Sequence, residues 1–152
     1  MYKATVRWMI RRNIRALDEG RYGPALAMFT DDAELRFPGV NTWSSQFREP
    51  QLSREPFVTH RGRDEIEAFL QRYVGLGMQM EVEDILVNGP PWNARAVALV
   101  HHWAVGTDGG EIYNNRAALS VRTVWGKIRV QEDYEDTERV AAFDRYEAPT
   151  SA

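Results

Sequence analysis

The sequence predicts an α+β domain, with helices packed on one face of a curved antiparallel sheet. Three observations support this. Apolar residues recur at helical spacing in the first half of the chain and at the two-residue period of half-buried strands in the second. Runs of helix therefore come before runs of strand and do not alternate with them as a parallel sheet would require. The 152 residues, 43% of them hydrophobic, suit one compact domain, placed at 1–146 with 147–152 as a disordered tail.

Val6, Met9, Ile10, Ile14 and Leu17 form the apolar stripe of a first helix over 4–18, which Asp18-Glu19-Gly20 ends. The segment also weakly resembles a mitochondrial presequence, but its clean stop favours a core helix. Pro24 opens a short second helix through Leu26, Met28 and Phe29. Asp31-Asp32 breaks that pattern, and 33–37 reads as a short strand. Residues 38–60 form the longest irregular stretch, with Pro38, Gly39, Pro50 and Pro56 among Trp43, Phe47 and Phe57. Those aromatics either cap a pocket or pack on a partner subunit. His60, just before a helix, reads as a surface residue.

The clearest helix is 62–74, where Ile66, Phe69, Leu70, Tyr73 and Val74 line one face and Gly75-Leu76-Gly77 stops it. With no strand before it and no helix after it, that glycine pair is not a phosphate loop. Met78, Met80 and Val82 then alternate with polar residues; they read as core or pocket wall, and a slip at Asp84-Ile85 predicts a bulge. Asn88-Gly89-Pro90-Pro91 is a turn, 96–105 a nearly continuous apolar strand, and 106–110 another turn. Residues 113–123 alternate, Val124-Trp125-Gly126 turns the chain, 127–135 runs back, and a last helix starts near Thr137 with Val140, Ala141 and Phe143.

Composition excludes several functions. Without cysteine there is no disulfide, thiolate chemistry or zinc–thiolate site. A net charge of −3 leaves no electrostatic footprint for nucleic acid. No apolar run can span a bilayer and no secretory signal is evident, so the expectation is a cytoplasmic protein without membrane or nucleic-acid partners. His101 and His102 point to opposite faces of their strand and cannot chelate one ion, so neither a metal nor a cofactor is expected.

The candidate site follows from strand register. If Gly126 takes the left-handed position of a type I turn with a bulge, Thr123 pairs with Lys127 and Asp133 lies beside Ala117 on the apolar face. A four-residue turn at 107–110 pairs Gly106 with Glu111 and His102 with Asn115. His102, Asn115, Gln131, Asp133 and Glu135 then share one face, with roughly 10 Å between the backbones of His102 and Asp133. A carboxylate there is paired, neutral or working. Asp133 is expected to be the acid/base group unless Arg129, Arg116 or a backbone amide holds it. His102 is a possible helper or an ordinary half-buried histidine. Asn115 and Gln131 would orient a carbonyl or enolate oxygen, with Phe37, Trp43, Tyr73 and Leu119 as further substrate-binding residues. The acidic run 132–136 otherwise reads as a solvated strand end. Trp103 and His101 face the other way, and with Ile112 and Val124 they suggest a homodimer interface.

The element order, the Gly62-Arg63-Asp64-Glu65-Ile66-x-x-Phe69 helix start, and Gly126-Lys127-Ile128-Arg129 leading to Asp133-Tyr134-x-Asp136 resemble the nuclear-transport-factor-2-like superfamily. Within it, the SnoaL-like polyketide cyclases and limonene-epoxide-hydrolase-like proteins are most similar. The resemblance spans almost the whole chain and implies a cone-shaped cystatin-like sheet with helices on its concave face. It also implies a general acid/base role for Asp133. His102 stands where the hydrolases keep their other aspartate, Val100 where they keep an arginine, and Leu35 and Phe37 where they keep a tyrosine and an asparagine. Epoxide hydrolysis is thereby disfavoured, as is ketosteroid isomerisation, whose base lies near the first strand where this chain has Arg36 and Phe37. The resemblance implies cyclisation, isomerisation or dehydration of an apolar, carbonyl-bearing ring compound such as a polyketide, without a cofactor. The alternative is a non-catalytic module of the same superfamily that binds a hydrophobic ligand or dimerises.

Overall fold

A computed structural model describes residues 2–38 and 57–147. The chain runs α1 (Tyr2–Asp18), α2 (Gly23–Leu26), β1 (Phe29–Pro38), β2 (Phe57–Arg61), α3 (Gly62–Gly75), β3 (Gln79–Asn88), β4 (Ala94–Val105), β5 (Glu111–Val124), β6 (Lys127–Glu135) and α4 (Thr137–Glu147). Among the described residues the strands form one curved, unclosed sheet of six in the order β2-β1-β6-β5-β4-β3. The α+β class holds, with one departure: β1 and β6 pair in parallel, so the sheet is mixed. That pairing joins the first strand to the last, beyond the reach of local periodicity.

Helix α1 packs on β3 where the predicted bulge occurs, between Val82 and Asp84. Arg7 Nε donates to the Ile85 carbonyl at 3.0 Å and Arg11 Nη1 to the Val82 carbonyl at 3.2 Å. At the other end of α1, Asp18 Oδ1 accepts the Met80 amide at 2.8 Å. The apolar face of α3 is buried as its spacing predicts, with Ile66 at 0% exposure. Val140 and Phe143 of α4 are buried, and the Phe143 ring lies 5.0 Å from that of Tyr113 on β5. The core thus lies between the helices and one face of the sheet.

Several local expectations need correction. Asp31 and Asp32 do not end a segment: they lie within β1, exposed, where its ladder with β6 skips between Phe29 and Glu34. Strand β2 was hidden because it is five residues long and follows the proline-rich stretch. His60 is half-buried rather than on the surface, its ring 5.9 Å from Phe37 and 5.6 Å from Phe69. Trp125 and Gly126 both take positive φ, 51° and 79°, making the two-residue hairpin loop that twisted strands favour. Val124 therefore pairs with Lys127, and an irregularity at Arg122/Thr123 restores the phase, so that Asp133 pairs with Leu119 and not Ala117. The bulge keeps Asp133 on the same face. Helix α4 includes Glu147, one residue past the expected domain end. The tail from 148 and most of the 38–60 loop, Trp43 included, lie outside the described residues.

Candidate active site

The alternation of β6 sends Gln131, Asp133 and Glu135 to the inner face of the sheet, opposite Val121, Leu119 and Ala117 of β5. His102 of β4 pairs with Asn115, as the register argument required. Gln131, Asp133, Glu135 and His102 line one cavity of about 130 Å3 between α1, α3 and the sheet. Phe37, Tyr73 and Leu119 also line it, as does Met80, while Met78 is buried in the core. The described lining residues are mostly apolar and include neither Arg nor Lys.

Asp133 is 8% exposed. Gln131 Nε2 donates to its two carboxyl oxygens at 2.9 and 3.2 Å. The arginines that could have neutralised it are engaged elsewhere: Arg129 lies 3.7 Å from Asp32, and Arg116 pairs with Glu83. Burial pushes the Asp133 carboxyl up to about 7, against the smaller lowering effect of Gln131.

His102 is 6% exposed, with the ring of Tyr113 edge-on at 5.9 Å. Neither ring nitrogen has a hydrogen-bond partner among the described residues. Burial, reinforced by His101, lowers its pKa to about 4, so near neutral pH it is an uncharged imidazole that can donate or accept. Burial also holds Tyr73 well above the ordinary phenol value, as a neutral hydroxyl.

Two residues behave differently from expectation. Asn115 does not line the cavity; its Nδ2 donates to Tyr113 Oη at 3.1 Å and to the Asp136 carbonyl at 3.0 Å. It ties β5 to the start of α4. Glu135 is half-buried rather than a fully solvated strand end. It lines the cavity, accepts from Tyr113 Oη at 3.5 Å through Oε2, and buries Oε1 without a partner among the described residues. Burial and the neighbouring Asp133 push it up to about 8. The signal was in the sequence: Glu135 lies two residues after Asp133 and shares its face.

On the outer face, His101 stacks on Trp103 at 5.2 Å and meets Asn114 Oδ1 at 3.0 Å. Ile112 packs against the core cluster and does not contribute to an exposed face. Leu86, Leu99, Val124 and Tyr134 are exposed. Among the described residues no cluster of His, Asp or Glu suits a metal ion, and no helix is long and apolar enough to cross a membrane.

The arrangement suits moving a proton on an uncharged apolar molecule. One buried carboxyl is poised near neutrality, a second is held in its acid form, and a neutral imidazole faces the same space.

Among solved structures, Bal32a from a soil-derived mobile gene cassette is similar, with a TM-score of 0.69 at 17% identity over 92% of this chain and 96% of that one. An NTF2-like protein of unknown function from Burkholderia pseudomallei has a TM-score of 0.65 at 17% identity, covering 90% of this chain and 96% of that one. TerC, co-crystallised with polyporic acid, has a TM-score of 0.65 at 17% identity, covering 88% and 92%. No curated protein matches the chain in sequence. These likenesses establish the fold. The SnoaL-like domain family matches residues 10–131, ending two residues before Asp133 but covering most of the chain, and the protein belongs to that family within the NTF2-like superfamily.

Proposed function

We propose that the protein is an acid/base enzyme acting on a neutral, apolar, carbonyl-bearing ring compound such as a polyketide, with Asp133 as the group that takes and returns the proton. The observation that carries this is Asp133 itself, buried in the cavity wall with no cation beside it among the described residues. A structural carboxylate would have been given an arginine or several amides; among the described residues Asp133 has the amide of Gln131. Its pKa near 7 lets it serve as base and then as acid at neutral pH. His102 offers a neutral hydrogen bond to the same ligand, and Phe37, Tyr73 and Leu119 form apolar wall. Cyclisation, isomerisation and dehydration all begin with such a transfer.

The test needs no natural substrate. Incorporation of deuterium beside the carbonyl of 2-tetralone in D2O, followed by NMR, reads proton abstraction directly. Wild type should accelerate exchange, and Asp133→Asn should lower the rate by about 10²–10⁴-fold while 2-tetralone still binds. Equal rates for the two proteins would leave a ligand-binding module.

The same reading includes a cytoplasmic homodimer joined through the outer face of the sheet, where Leu86, Leu99, Val124 and Tyr134 are exposed beside Trp103. Light scattering at micromolar concentration checks it; a monomer would rule it out.

A further inference from the structure

We infer that Glu135 is the second catalytic residue: in its neutral form it donates to the substrate's carbonyl oxygen while Asp133 removes the proton from the adjacent carbon. The inference rests on the acid/base reading above and narrows the substrate to an uncharged enolisable ketone or 1,3-dicarbonyl.

The geometry comes first. Asp133 and Glu135 are two residues apart on one strand face, so their backbones are separated by roughly 7 Å. That interval holds one carbonyl oxygen and a neighbouring C–H, with a hydrogen bond at each end. The two carboxyls are held differently. Both oxygens of Asp133 accept from Gln131, which favours the ionised form. Glu135 accepts one contact from Tyr113 Oη at 3.5 Å, while Oε1 is buried with no partner among the described residues. A buried carboxyl oxygen left that way suits an O–H waiting for an acceptor. Independently, His102 shares this cavity with both ring nitrogens unpartnered among the described residues. The cup therefore lacks ligand-sized polar partners at more than one point.

The charges around Glu135 agree. Asp133 precedes it on its own strand and Asp136 follows it; Tyr113 lies across on β5, His102 on β4, Tyr73 on α3 and Asp144 on α4. Arg116 borders a surface hollow that Glu135 also touches, but its guanidinium is committed to Glu83, and Arg139 of α4 is committed to Asp136 and the Asn114 carbonyl. Carboxyls and neutral groups thus face Glu135, and they hold its proton on. Among the described residues the lining holds no cation, which weighs against an anionic substrate.

The step balances without another reactant. The C–H bond breaks and its proton goes to Asp133; the electron pair forms a C=C bond and the carbonyl π pair moves to oxygen. That oxygen takes the Glu135 proton, leaving an enol, a neutral Asp133 and an ionised Glu135. Return of a proton from Asp133 to a different carbon, and of the enol proton to Glu135, regenerates the Asp133 carboxylate and the neutral Glu135 carboxyl.

Deuterium exchange into 2-tetralone across pH 5–10 tests this with wild type, Asp133→Asn, Glu135→Gln and Glu135→Leu. Wild-type rate should rise as Asp133 ionises and fall as Glu135 ionises. Glu135→Leu should lose about 10²-fold in kcat while 2-tetralone affinity changes less than about threefold, as for loss of one oxyanion donor. Glu135→Gln keeps a neutral donor but cannot pass a proton; it should lose about tenfold, and its alkaline fall should vanish. If Glu135→Leu does not fold, the alkaline limb of Glu135→Gln decides alone. The inference is overturned if Asp133→Asn slows exchange but Glu135→Gln keeps the wild-type alkaline limb, or if folded Glu135→Leu exchanges at the wild-type rate. Failure of Asp133→Asn to slow exchange would instead reject the acid/base reading on which it rests.

Discussion

Strand β6 carries acids on both faces and treats them in opposite ways. Outside, Glu132 accepts from Arg36 Nη1 at 2.8 Å, and Arg36 Nε also donates to Glu34 at 2.9 Å. Inside, one and three residues further along, Asp133 and Glu135 meet a glutamine, a tyrosine and apolar wall. The outer acid is paired with a guanidinium, whereas buried Asp133 and half-buried Glu135 have no cation partner among the described residues. A sheet needs only a one-residue step to change a side chain's solvent, and this strand uses that step to separate surface charge from chemistry.

The difference should appear most strongly in the dependence of stability on pH. In the unfolded chain Asp133 and Glu135 return to ordinary carboxyl values near 4; folded, they stand at about 7 and about 8. A raised carboxyl pKa contributes stability that is fully present below the unfolded value and lost as pH rises through the folded one. His102 acts at the other end: its value, lowered from 6.5 to about 4, contributes stability above 6.5 that is lost as pH falls toward 4. Two carboxyls outweigh one imidazole, so net stability should fall between about pH 4 and pH 8. Asp133→Asn should flatten that slope and stabilise the protein at pH 8.5 by about 2–4 kcal/mol, measured by urea unfolding at pH 5 and pH 8.5. Destabilisation at pH 8.5 would mean that the carboxylate is structural and the inner face no different from the outer.

A smaller effect separates the inner-face residues that serve the cavity from those that build it. Asn115→Ala removes the donor to Tyr113 Oη and to the Asp136 carbonyl, both in a buried setting. A loss of about 1–3 kcal/mol is expected, with binding of 2-tetralone changed less than stability. Weakened binding at unchanged stability would return Asn115 to the substrate.

These residues also show how far the sequence could be read. Side-chain period two put Asp133, Glu135 and His102 on one face, and that survived an error in the turn because the hairpin loop and the irregularity at Arg122/Thr123 offset each other. The role of Asn115 was not legible: its partner carbonyl belongs to Asp136, twenty-one residues on, at a helix start that only tertiary packing brings near. Glu135 was read as solvated because acidic runs at strand ends usually are; it is half-buried, with Tyr113 of β5 against it. The parallel β1–β6 pairing was hidden for the same reason, since local pattern reports faces and not distant neighbours.

The smallest expected effect is the sharpest check on the comparison. Arg36 and its two glutamate partners are about a quarter to a third exposed, so water screens the network and its net contribution is small. Arg36→Met should cost no more than about 1 kcal/mol at pH 7, and less at high salt. If the sheet insulates its faces, that cost should add to the effect of Asp133→Asn within about 0.5 kcal/mol, and the slope of stability against pH should be unchanged. An altered slope in Arg36→Met would show that the outer guanidinium helps set the ionisation of Asp133 through the sheet. The inner carboxyl would then owe its value to a distant cation as well as to burial, and the contrast between the faces would be one of degree.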